Sequence, residues 1–304
     1  MSALCVPNGT PRRQQVINVE FAFGIPRKNM SFESLVTRGL IALCLATMLL
    51  AQAGADVLDY RVIYRGMFSG GADMPIADLL LETHMAKGSR DLRQARIEAS
   101  SLAYPLVETL FPVRYRFRNW TIGDQGQLLG FESYESTRKV RHRLYLRDDS
   151  SLGVRRFDLK AGAGWRELKQ LEAGEMPVPP VGGERLLDRL GLLQLVRGQD
   201  LADQSEYRFV VTNGRERLVY DVRVVAAQTL DLAGVSLPAW KLRFDGLESG
   251  RNGVLEPAHR PVYVWLSQTP EHNPLRVDSR HAIGRFRIEL KNRPLLRQIA
   301  RADS

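Results

Sequence analysis

Two short segments of the chain place arginine at alternate positions, interrupted once by Tyr145, and arginine has clear chemistry toward anions. One segment alternates arginine with other side chains over residues 113–119, and the other does so over residues 140–147. Alternate side chains of a β-strand point to the same face, so each segment would present its guanidinium groups in a row. A guanidinium group holds carboxylate or phosphate oxygens through paired hydrogen bonds. The candidate anion-binding residues are therefore Arg114, Arg116, Arg118, Arg141, Arg143 and Arg147.

The two arginine segments have two interpretations. If both are strands of one antiparallel meander, we expect all six guanidinium groups on one sheet face, where they would suit an anionic lipid head group. The stronger interpretation is structural, because Glu132 and Glu135 lie on or beside the strand between them. These carboxylates would join the arginines in a solvated charge network, and the arginine stems would cover apolar sheet surface.

Residues that could support catalysis or bind a metal are few. The chain contains no phosphate-binding loop, dinucleotide fingerprint, H-E-x-x-H motif or serine nucleophile elbow. His259, His272 and His281 fall within 23 residues but have no acidic partner at fixed spacing, so we predict no metal site and no cofactor. The sequence favours a protein that is not an enzyme. A hydrolase remains as a weaker alternative, and it would need Glu271, His272 and His281 to converge.

The composition is that of an ordinary globular protein, and an export signal precedes the folded part. The 304 residues include 43 Lys and Arg, 34 Asp and Glu, and only two Cys, both before residue 55. An apolar run at residues 40–50 follows Arg38 and precedes small residues up to Ala55. It is shorter than the roughly 20 residues of a membrane-spanning helix but matches a secretory signal. We predict a signal peptide at 30–55, cleaved near Ala55. Residues 1–29 are then either an extended leader or not translated, with translation beginning at Met30.

Export to the periplasm restricts the partners that the protein would meet. The mature chain has no second apolar run long enough to cross a bilayer, so we expect no transmembrane segment after cleavage. Nucleic acid is not an expected partner in that compartment. Anionic lipid and glycan surfaces are present there, although the net positive charge is also compatible with a role in solubility alone.

The elements that must position these side chains are mostly strands, because a period of two dominates the mature chain. Strands are predicted at 60–65, 112–120, 128–134, 138–147, 207–212, 218–225, 239–244, 262–266 and 284–290, with weaker candidates at 79–84, 94–99, 154–159, 229–232 and 275–278. Asn213-Gly214 indicates a hairpin with a type I′ turn. Consecutive strands without helices between them favour antiparallel meanders.

One helix interrupts this strand pattern. Residues 183–193 place Leu186, Leu187, Leu190 and Leu193 on one helical face, after a stretch rich in proline and glycine at 172–183. We interpret that stretch as a loop within one domain rather than as a linker, because the leucines need a sheet to cover them. The sequence therefore predicts a single β domain at 56–293 and a tail at 294–304 that forms a short docked or fraying helix.

The predicted fold class is mainly β, with a curved antiparallel sheet, barrel-like or half-barrel, and one packed amphipathic helix. The sheet face opposite the arginines is rich in aromatic and aliphatic residues. A curved sheet would turn this face inward, and one helix is too little to cover it. Either the sheet closes into a filled core, which has more support, or part of the concavity stays open as a lipid-binding groove.

Short motifs along almost the whole mature chain resemble those of a bacterial family of exported proteins, domain of unknown function 3108 (DUF3108). The resemblance implies a periplasmic, mostly antiparallel β protein, and it implies neither an activity nor any catalytic or binding residues. The motifs are Tyr60-x-Val62-x-Tyr64-Arg65-Gly66, Asp188-Arg-Leu, Tyr220-Asp-Val222, Lys241-Leu-Arg-Phe244, Val264-Trp265-Leu266-Ser267 and Pro274-Leu-Arg-Val277 before Gly284.

These observations predict a function without catalysis. The first hypothesis is that the protein binds or chaperones an apolar or amphipathic molecule of the envelope, such as a lipid or a lipoprotein. The second is that it is a structural or assembly adaptor, which would use strand edges or the arginine face to contact another envelope protein.

Overall fold

The computed structural model describes residues 56–85, 91–110, 112–123, 126–136, 139–148, 153–176, 185–202, 204–250 and 252–302. The chain divides into two units, residues 1–52 and 53–304, and all described residues belong to the second. The predicted signal peptide at 30–55 and the segment before it lie outside the described residues.

Strands account for most of the described structure, and four α-helices accompany them. The strands are β1 (Asp56–Gly66), β2 (Met74–Met85), β3 (Leu92–Ser100), β4 (Arg114–Ile122), β5 (Gln127–Ser136), β6 (Val140–Asp148), β7 (Gly153–Asp158), β8 (Glu206–Thr212), β9 (Arg217–Leu232), β10 (Val235–Ser249), β11 (Leu255–Pro257), β12 (Val262–Ser267), β13 (Pro274–His281) and β14 (Gly284–Leu290). The helices are α1 (Pro105–Leu110), α2 (Trp165–Ala173), α3 (Arg189–Arg197) and α4 (Arg293–Ala302).

All the strands form one antiparallel sheet that curves into a nearly closed barrel. The order is β7-β6-β5-β4-β3-β2-β1-β14-β13-β12-β10-β9-β8, with β11 paired to β10. An extended segment at Leu186 and Leu187 connects the two halves, because Leu128 N–H donates to the Leu186 carbonyl at 3.2 Å and Leu187 N–H donates to the Val210 carbonyl at 3.1 Å. The predicted fold class, mainly β and barrel-like, is confirmed.

The inner face of the barrel is apolar because register brings apolar positions of neighbouring strands together. Leu58 of β1 lies opposite Leu81 of β2, which lies opposite Ile97 of β3, which lies opposite Phe117 of β4. Leu58 and Leu81 are almost fully buried. The period-two pattern of the sequence thus corresponds to one face packed in the interior and one face turned outward.

Helix α3 lies inside the barrel. Its Leu190 is buried in a cluster with Leu58 and Leu81 on one side of the barrel, and its Val196 is buried in another with Leu242 of β10. A helix that packs against strands from opposite walls must occupy the space between them. The predicted filled core is therefore present over part of the interior.

The start of this helix was predicted wrongly. The sequence placed Leu186 and Leu187 on its apolar face, but the helix begins at Arg189 and both leucines are in the extended segment. The reason is the N-cap at Asp188, whose carboxylate accepts hydrogen bonds from the N–H groups of Leu190 and Gly191 at 2.7 and 2.9 Å. An aspartate at this position satisfies backbone donors that the helix leaves unpaired.

Two other helices cover the outside of the sheet or its end. Helix α2, which was not predicted from the sequence, buries Leu168 and Leu171 with Trp120 and Leu144. Helix α4 buries Leu296 and contacts β10, so the predicted C-terminal helix is confirmed as docked. No helix in the described residues is both long and apolar enough to cross a bilayer.

The predicted hairpin between β8 and β9 is present, but its turn differs from the prediction. Thr212 pairs with Arg217, so the loop has four residues and not two. Gly214 has a positive φ of 87°, whereas Asn213 is outside the positive-φ region. The Asn213 side chain instead accepts hydrogen bonds from the N–H groups of Arg215 and Glu216 at 2.8 and 2.9 Å, as in an Asx turn.

Candidate functional site

The six candidate arginines do not share one face of the sheet, so that expectation was wrong. Phe117 lies opposite Ser133, and Ser133 lies opposite Arg143, which places Arg143 on the inner face with the aromatic side chains of β4. Strand alternation then puts Arg141 and Arg147 on the inner side of β6 and Arg114, Arg116 and Arg118 on the outer side of β4. The sequence could not reveal the register between β4 and β6, because an offset of one residue exchanges the two faces.

The outer arginines of β4 belong to a charge cluster around Glu132. The Glu132 side chain is 1% exposed, and its carboxylate binds Arg118 and His142 at 2.5 Å and Arg116 at 3.1 Å. Burial alone would raise the pKa of Glu132, but the hydrogen bonds from Arg118 and His142 and the charges of Arg118 and Arg116 outweigh it and hold the pKa below its usual value. The predicted charge network is confirmed here, although Glu132 is buried rather than solvated.

Two more of the candidate arginines, near the same end of the sheet, also bind carboxylates. Arg114 binds Glu108 of α1 at 2.7 Å, and Arg141 binds Glu135 at 3.2 Å. Arg147 lies near the far end of β6, opposite Val154. Of the six candidates, Arg143 is the one that the structure places in the wall of a cavity on the inner face of the sheet, open to solvent on one side.

That cavity is about 460 Å³ and lies between the inner face of β3 to β6, helix α3 and the β8–β9 turn. Its volume falls within the range of roughly 300–1,000 Å³ that is typical of small-molecule sites. Its walls combine aromatic and aliphatic groups with arginines and short polar side chains. The lining residues are Ile97, Tyr115, Phe117, Phe131, Ser133, Arg143, Tyr145, Arg189, Leu190, Leu193, Thr212, Asn213 and Arg215.

Three stacked aromatic rings form the apolar wall of the cavity. The ring centroids of Phe117 and Phe131 are 5.3 Å apart, and those of Phe131 and Tyr145 are 4.5 Å apart with planes inclined by 16°. Phe131 and Tyr145 stack because they lie directly opposite each other on β5 and β6. Such a wall offers a rigid apolar surface to an acyl chain or a ring.

Three arginines from three different elements line the same cavity. Arg143 comes from β6, Arg189 from the first turn of α3, and Arg215 from the β8–β9 turn. Within the described residues, none of these three guanidinium groups forms an ion pair with a carboxylate. Their hydrogen-bond donors are therefore available to an anionic group of a ligand.

A tyrosine beside these arginines is perturbed by its surroundings. Tyr115 lines the cavity, and removal of its hydroxyl from water raises its pKa, an effect that the nearby charge of Arg189 opposes. The hydroxyl is protonated at neutral pH, as in any tyrosine, and can donate a hydrogen bond to an oxygen of a bound molecule.

The position of Arg189 depends on a buried contact at the start of α3. The Asn119 amide donates to the Asp188 carboxylate at 2.8 Å, and the Asn119 oxygen accepts from Ala95 N–H at 3.2 Å. Both Asn119 and Asp188 are about 1% exposed. This contact fixes the first turn of α3 against β3 and β4, and so it fixes Arg189 at the cavity.

The residues proposed for a hydrolase do not converge. His272 lies in the β12–β13 connection, where its Nδ1 is 2.8 Å from the Arg197 carbonyl, whereas His281 ends β13 and contacts Phe286. The seven residue steps of β13 separate the two ends by roughly 20 Å. His259 contacts the Tyr220 hydroxyl at 2.9 Å. No group of three or more potential metal ligands exists in the part of the chain that the structure describes.

A second cavity, of about 510 Å³, lies on the outer face of β10, β12, β13 and β14. Lys241 lies over the rings of Tyr263 and Trp265 there, 5.1 and 5.4 Å from their centroids, and Arg276 also lies over Trp265. Asp278, in the wall of the same cavity, binds Arg276 at 2.9 Å. Cation–π contacts explain why these cations and rings share one surface.

Arg143 was predicted from the sequence, whereas Arg189 and Arg215, which line the same cavity, were not. Arg189 belongs to the Asp188-Arg-Leu motif, and Arg215 follows the Asn-Gly turn signal. Each signal was visible, but only the fold brings a helix start and a hairpin turn to one place.

Comparison with known proteins identifies the family. The model of a family described as a protein of unknown function, DUF3108, matches residues 60–291. The chain belongs to the DUF3108 family. The resemblance noted in the sequence is thereby confirmed, and no curated protein matches this DUF3108 chain.

Three solved structures are similar to the DUF3108 chain at low sequence identity. A Brucella abortus β-barrel-like protein of domain of unknown function DUF1849 has a TM-score of 0.45 and 9% identity, over 78% of this chain and 97% of that one. A Bacteroides fragilis protein described as exported, with a YmcC-like fold, has a TM-score of 0.25 and 9% identity, over 78% and 93%. A Parabacteroides distasonis protein described as a lipoprotein has a TM-score of 0.26 and 6% identity, over 78% and 93%.

Proposed function

We propose that this DUF3108 protein binds an anionic amphiphile of the cell envelope, without catalysis, and shields its apolar part from water. The ligand class is a molecule with an acyl chain or ring and a carboxylate or phosphate head group. The observation that carries the proposal is the placement of Arg143, Arg189 and Arg215 around the same cavity as the Phe117–Phe131–Tyr145 stack.

The two kinds of wall have different roles in this proposal. The stacked rings and Ile97, Leu190 and Leu193 contact the apolar part of the ligand, whose removal from water supplies most of the affinity. The guanidinium groups bind the head group through charge-assisted hydrogen bonds and fix the orientation of the ligand. No group in this arrangement needs to transfer a proton or form a covalent bond.

The compartment is part of the proposal. Residues 30–55 predict export to the periplasm with cleavage near Ala55. Cell fractionation followed by mass spectrometry of the N-terminus is the direct test. A product in the periplasmic fraction that begins at Asp56 supports export, and a cytoplasmic product that retains residues 40–50 contradicts it.

The binding test uses dansyl-labelled undecanoic acid as the probe. We expect a saturable rise in dansyl fluorescence with the wild-type protein. Ser133→Trp should strongly reduce that rise, because Ser133 lines the cavity between Phe117 and Arg143 and the indole would occupy space beside both. Ser136→Trp, on the same strand but the other face, is the matched control and should keep wild-type binding.

Each result of this test bears on the proposal. Loss of binding in Ser133→Trp together with normal binding in Ser136→Trp supports the cavity as the site. Absence of saturable binding in the wild-type protein, or equal binding in both variants, contradicts it. Urea unfolding of both variants is measured alongside, because only a folded Ser133→Trp protein tests the cavity.

A further inference from the structure

Among the described residues, one end of the barrel carries most of the exposed large apolar side chains. We name this the tip end, and it is the end at which β1 finishes and β2 begins. The connections β3–β4, β1–β2, β13–β14 and β10–β11 all lie there, because their strands are antiparallel neighbours. The exposed apolar residues in these connections are Leu102, Leu106, Leu110, Met67, Phe68, Ile283 and Val254, and Leu255 follows at the start of β11.

The opposite end of the barrel has fewer exposed large apolar side chains. Among the described residues there, Val57 and Met85 are the exposed large apolar side chains. The other exposed groups of this kind are Val140, which starts β6 at the tip end, and Tyr115, Trp165 and Val225, which lie in β4, α2 and β9. A concentration of exposed apolar side chains marks an interaction surface.

Two neighbouring turns are the most prominent part of the tip end. Gly66 pairs with Gly284, so the turn with Met67 and Phe68 lies beside the turn with Ile283. These three side chains are 81, 64 and 49% exposed. The Tyr64 hydroxyl donates to the Ile283 carbonyl at 2.6 Å, which ties the two turns together.

A row of three arginines lies directly behind these turns. Arg65, Arg285 and Arg280 lie opposite one another on β1, β14 and β13. Like charges that face each other across strands destabilise a sheet. Asp73 lies 3.9 Å from Arg65, and Asp278 binds Arg285. Within the described residues, Arg280 has no carboxylate partner, so the row keeps an excess of positive charge.

We infer that the tip end docks on the surface of an anionic lipid bilayer. Arg65 precedes Met67 by two residues, roughly 7 Å of extended chain. That spacing matches an apolar side chain inserted about 5–10 Å into the boundary between head groups and acyl chains while the guanidinium group stays level with the phosphates. The docking surface consists of Met67, Phe68, Ile283, Arg65, Arg280 and Arg285.

This inference goes beyond the proposed ligand cavity, and it does not require the cavity to be occupied. The tip residues are outside the cavity wall. The cavity nevertheless reaches the same end through Asn213 and Arg215, because the β8–β9 turn also lies there. A docked protein would thus hold the cavity near the bilayer from which an amphiphile would come.

The test is cosedimentation with vesicles. The protein is taken as recovered from expressing cells, with its N-terminus established by mass spectrometry, since a retained apolar run at 40–50 would itself bind lipid. Vesicles of phosphatidylglycerol and phosphatidylethanolamine are compared with vesicles of phosphatidylcholine at low and high salt. We expect binding to the anionic vesicles that weakens as salt rises.

Matched variants locate the contact. Met67→Ser with Phe68→Ser should lower the partition coefficient on anionic vesicles about tenfold, whereas Val57→Ser with Met85→Ser, the same kind of change at the opposite end, should leave it unchanged. Arg280→Gln should lower it about fivefold. Arg297→Gln in α4, an exposed arginine at the other end, should have no effect.

The possible results separate this inference from the proposed function. No binding of the wild-type protein to anionic vesicles overturns the inference, as does an equal loss in both double variants. A tip end that binds a protein partner but no vesicle overturns it as well. The dansyl probe should bind Met67→Ser with Phe68→Ser normally, so failure of the cavity and failure of the docking surface give different patterns.

Discussion

Asn119 on the inner face of β4 donates a hydrogen bond of 2.8 Å to Asp188, the N-cap of the helix inside the barrel. Burial raises the pKa of Asp188, although hydrogen bonds from Gly191, Asn119 and Leu190 oppose that effect. Because both partners are buried, the contact joins the wall of the barrel to the element that fills it.

Asn119→Leu should destabilise the protein by about 2–3 kcal/mol at neutral pH, since it leaves the Asp188 carboxylate and the Ala95 N–H short of a partner. Urea unfolding of the wild-type protein and the variant measures this loss of stability. Asn292→Ala, which removes the Asn292 side-chain acceptor from Leu295 N–H at the start of α4, is the control and should cost about 1 kcal/mol.

The same variant should respond to pH in a defined direction. Loss of the amide donor raises the pKa of Asp188 further, so the folded variant keeps its proton to a higher pH than the wild-type protein does. A raised folded-state pKa contributes stability at low pH that is lost as pH rises. The difference between wild type and Asn119→Leu should therefore be smaller at pH 5 than at pH 7. An equal difference at both values would contradict this account.

Gly214→Ala should disturb the cavity through Tyr145. Gly214 has a φ of +87°, and an added Cβ would lie 2.4 Å from Cε1 of Tyr145. Gly234→Ala is a matched control, because Gly234 has a φ of +80° but open space around the added atom. We expect about 1–2 kcal/mol of destabilisation from backbone strain in both variants, and about 1–3 kcal/mol more in Gly214→Ala from overpacking.

Ligand binding should separate the two glycine variants more sharply than stability does. Displacement of Tyr145 changes the stacked wall, so the affinity for dansyl-labelled undecanoic acid should fall in Gly214→Ala and stay at the wild-type level in Gly234→Ala. Fluorescence titration measures both affinities. Equal affinities in the two variants would show that Tyr145 is not part of the binding wall.

Glu132→Gln should destabilise the protein by about 3 kcal/mol, because three basic side chains lose the charge that holds them together on the outer face. Glu135→Gln is the control, since Glu135 is more exposed and, within the part of the chain that the structure describes, pairs with Arg141 alone. An exposed ion pair contributes about 0–1 kcal/mol, so the control should change little. Urea unfolding at pH 7 compares the two.

The Glu132 carboxylate also makes the stability of the protein depend on pH in the acid range. Its folded-state pKa lies below its usual value of 4.5, so between those two values the unfolded chain binds more protons than the folded one. Stability therefore rises with pH across that window and is lost as pH falls through the folded pKa. The pKa of Asp278 is lowered in the same direction. Glu132→Gln should flatten the pH dependence below 4.5 in part, and an unchanged profile would contradict this assignment.

Much of the fold was predictable from the sequence because alternation is a local signal. Strands such as β14 were predicted with the bounds that the structure shows, and others such as β9 and β10 are longer than predicted. Helix α2 was missed because residues 160–171 were assigned to no element, and the proline- and glycine-rich stretch at 172–183 begins only where the helix ends. The segment at Leu186 and Leu187 was mistaken for helix because apolar spacing alone does not distinguish a helix start from a strand.

The candidate site was less predictable, because it depends on register and on contacts between distant elements. The arginine alternation of β4 and β6 was visible, but pairing places Arg143 inside and Arg116 outside. Arg189 and Arg215 join Arg143 only because α3 enters the barrel and the β8–β9 turn reaches Tyr145. These relationships are tertiary, and no local pattern encodes them.

The charge of the ligand provides the last test. Arg143→Gln and Arg189→Gln should each lower the affinity for dansyl-labelled undecanoic acid about tenfold, because each removes a charge-assisted hydrogen bond worth roughly 1.5 kcal/mol. The methyl ester of the same probe has no charge, so its affinity should be similar in wild type and both variants. Arg141→Gln is the control on the protein side, since Arg141 is exposed and already paired with Glu135. If the ester loses affinity as much as the acid does, the arginines act through packing, and the assignment of the head group to them is wrong.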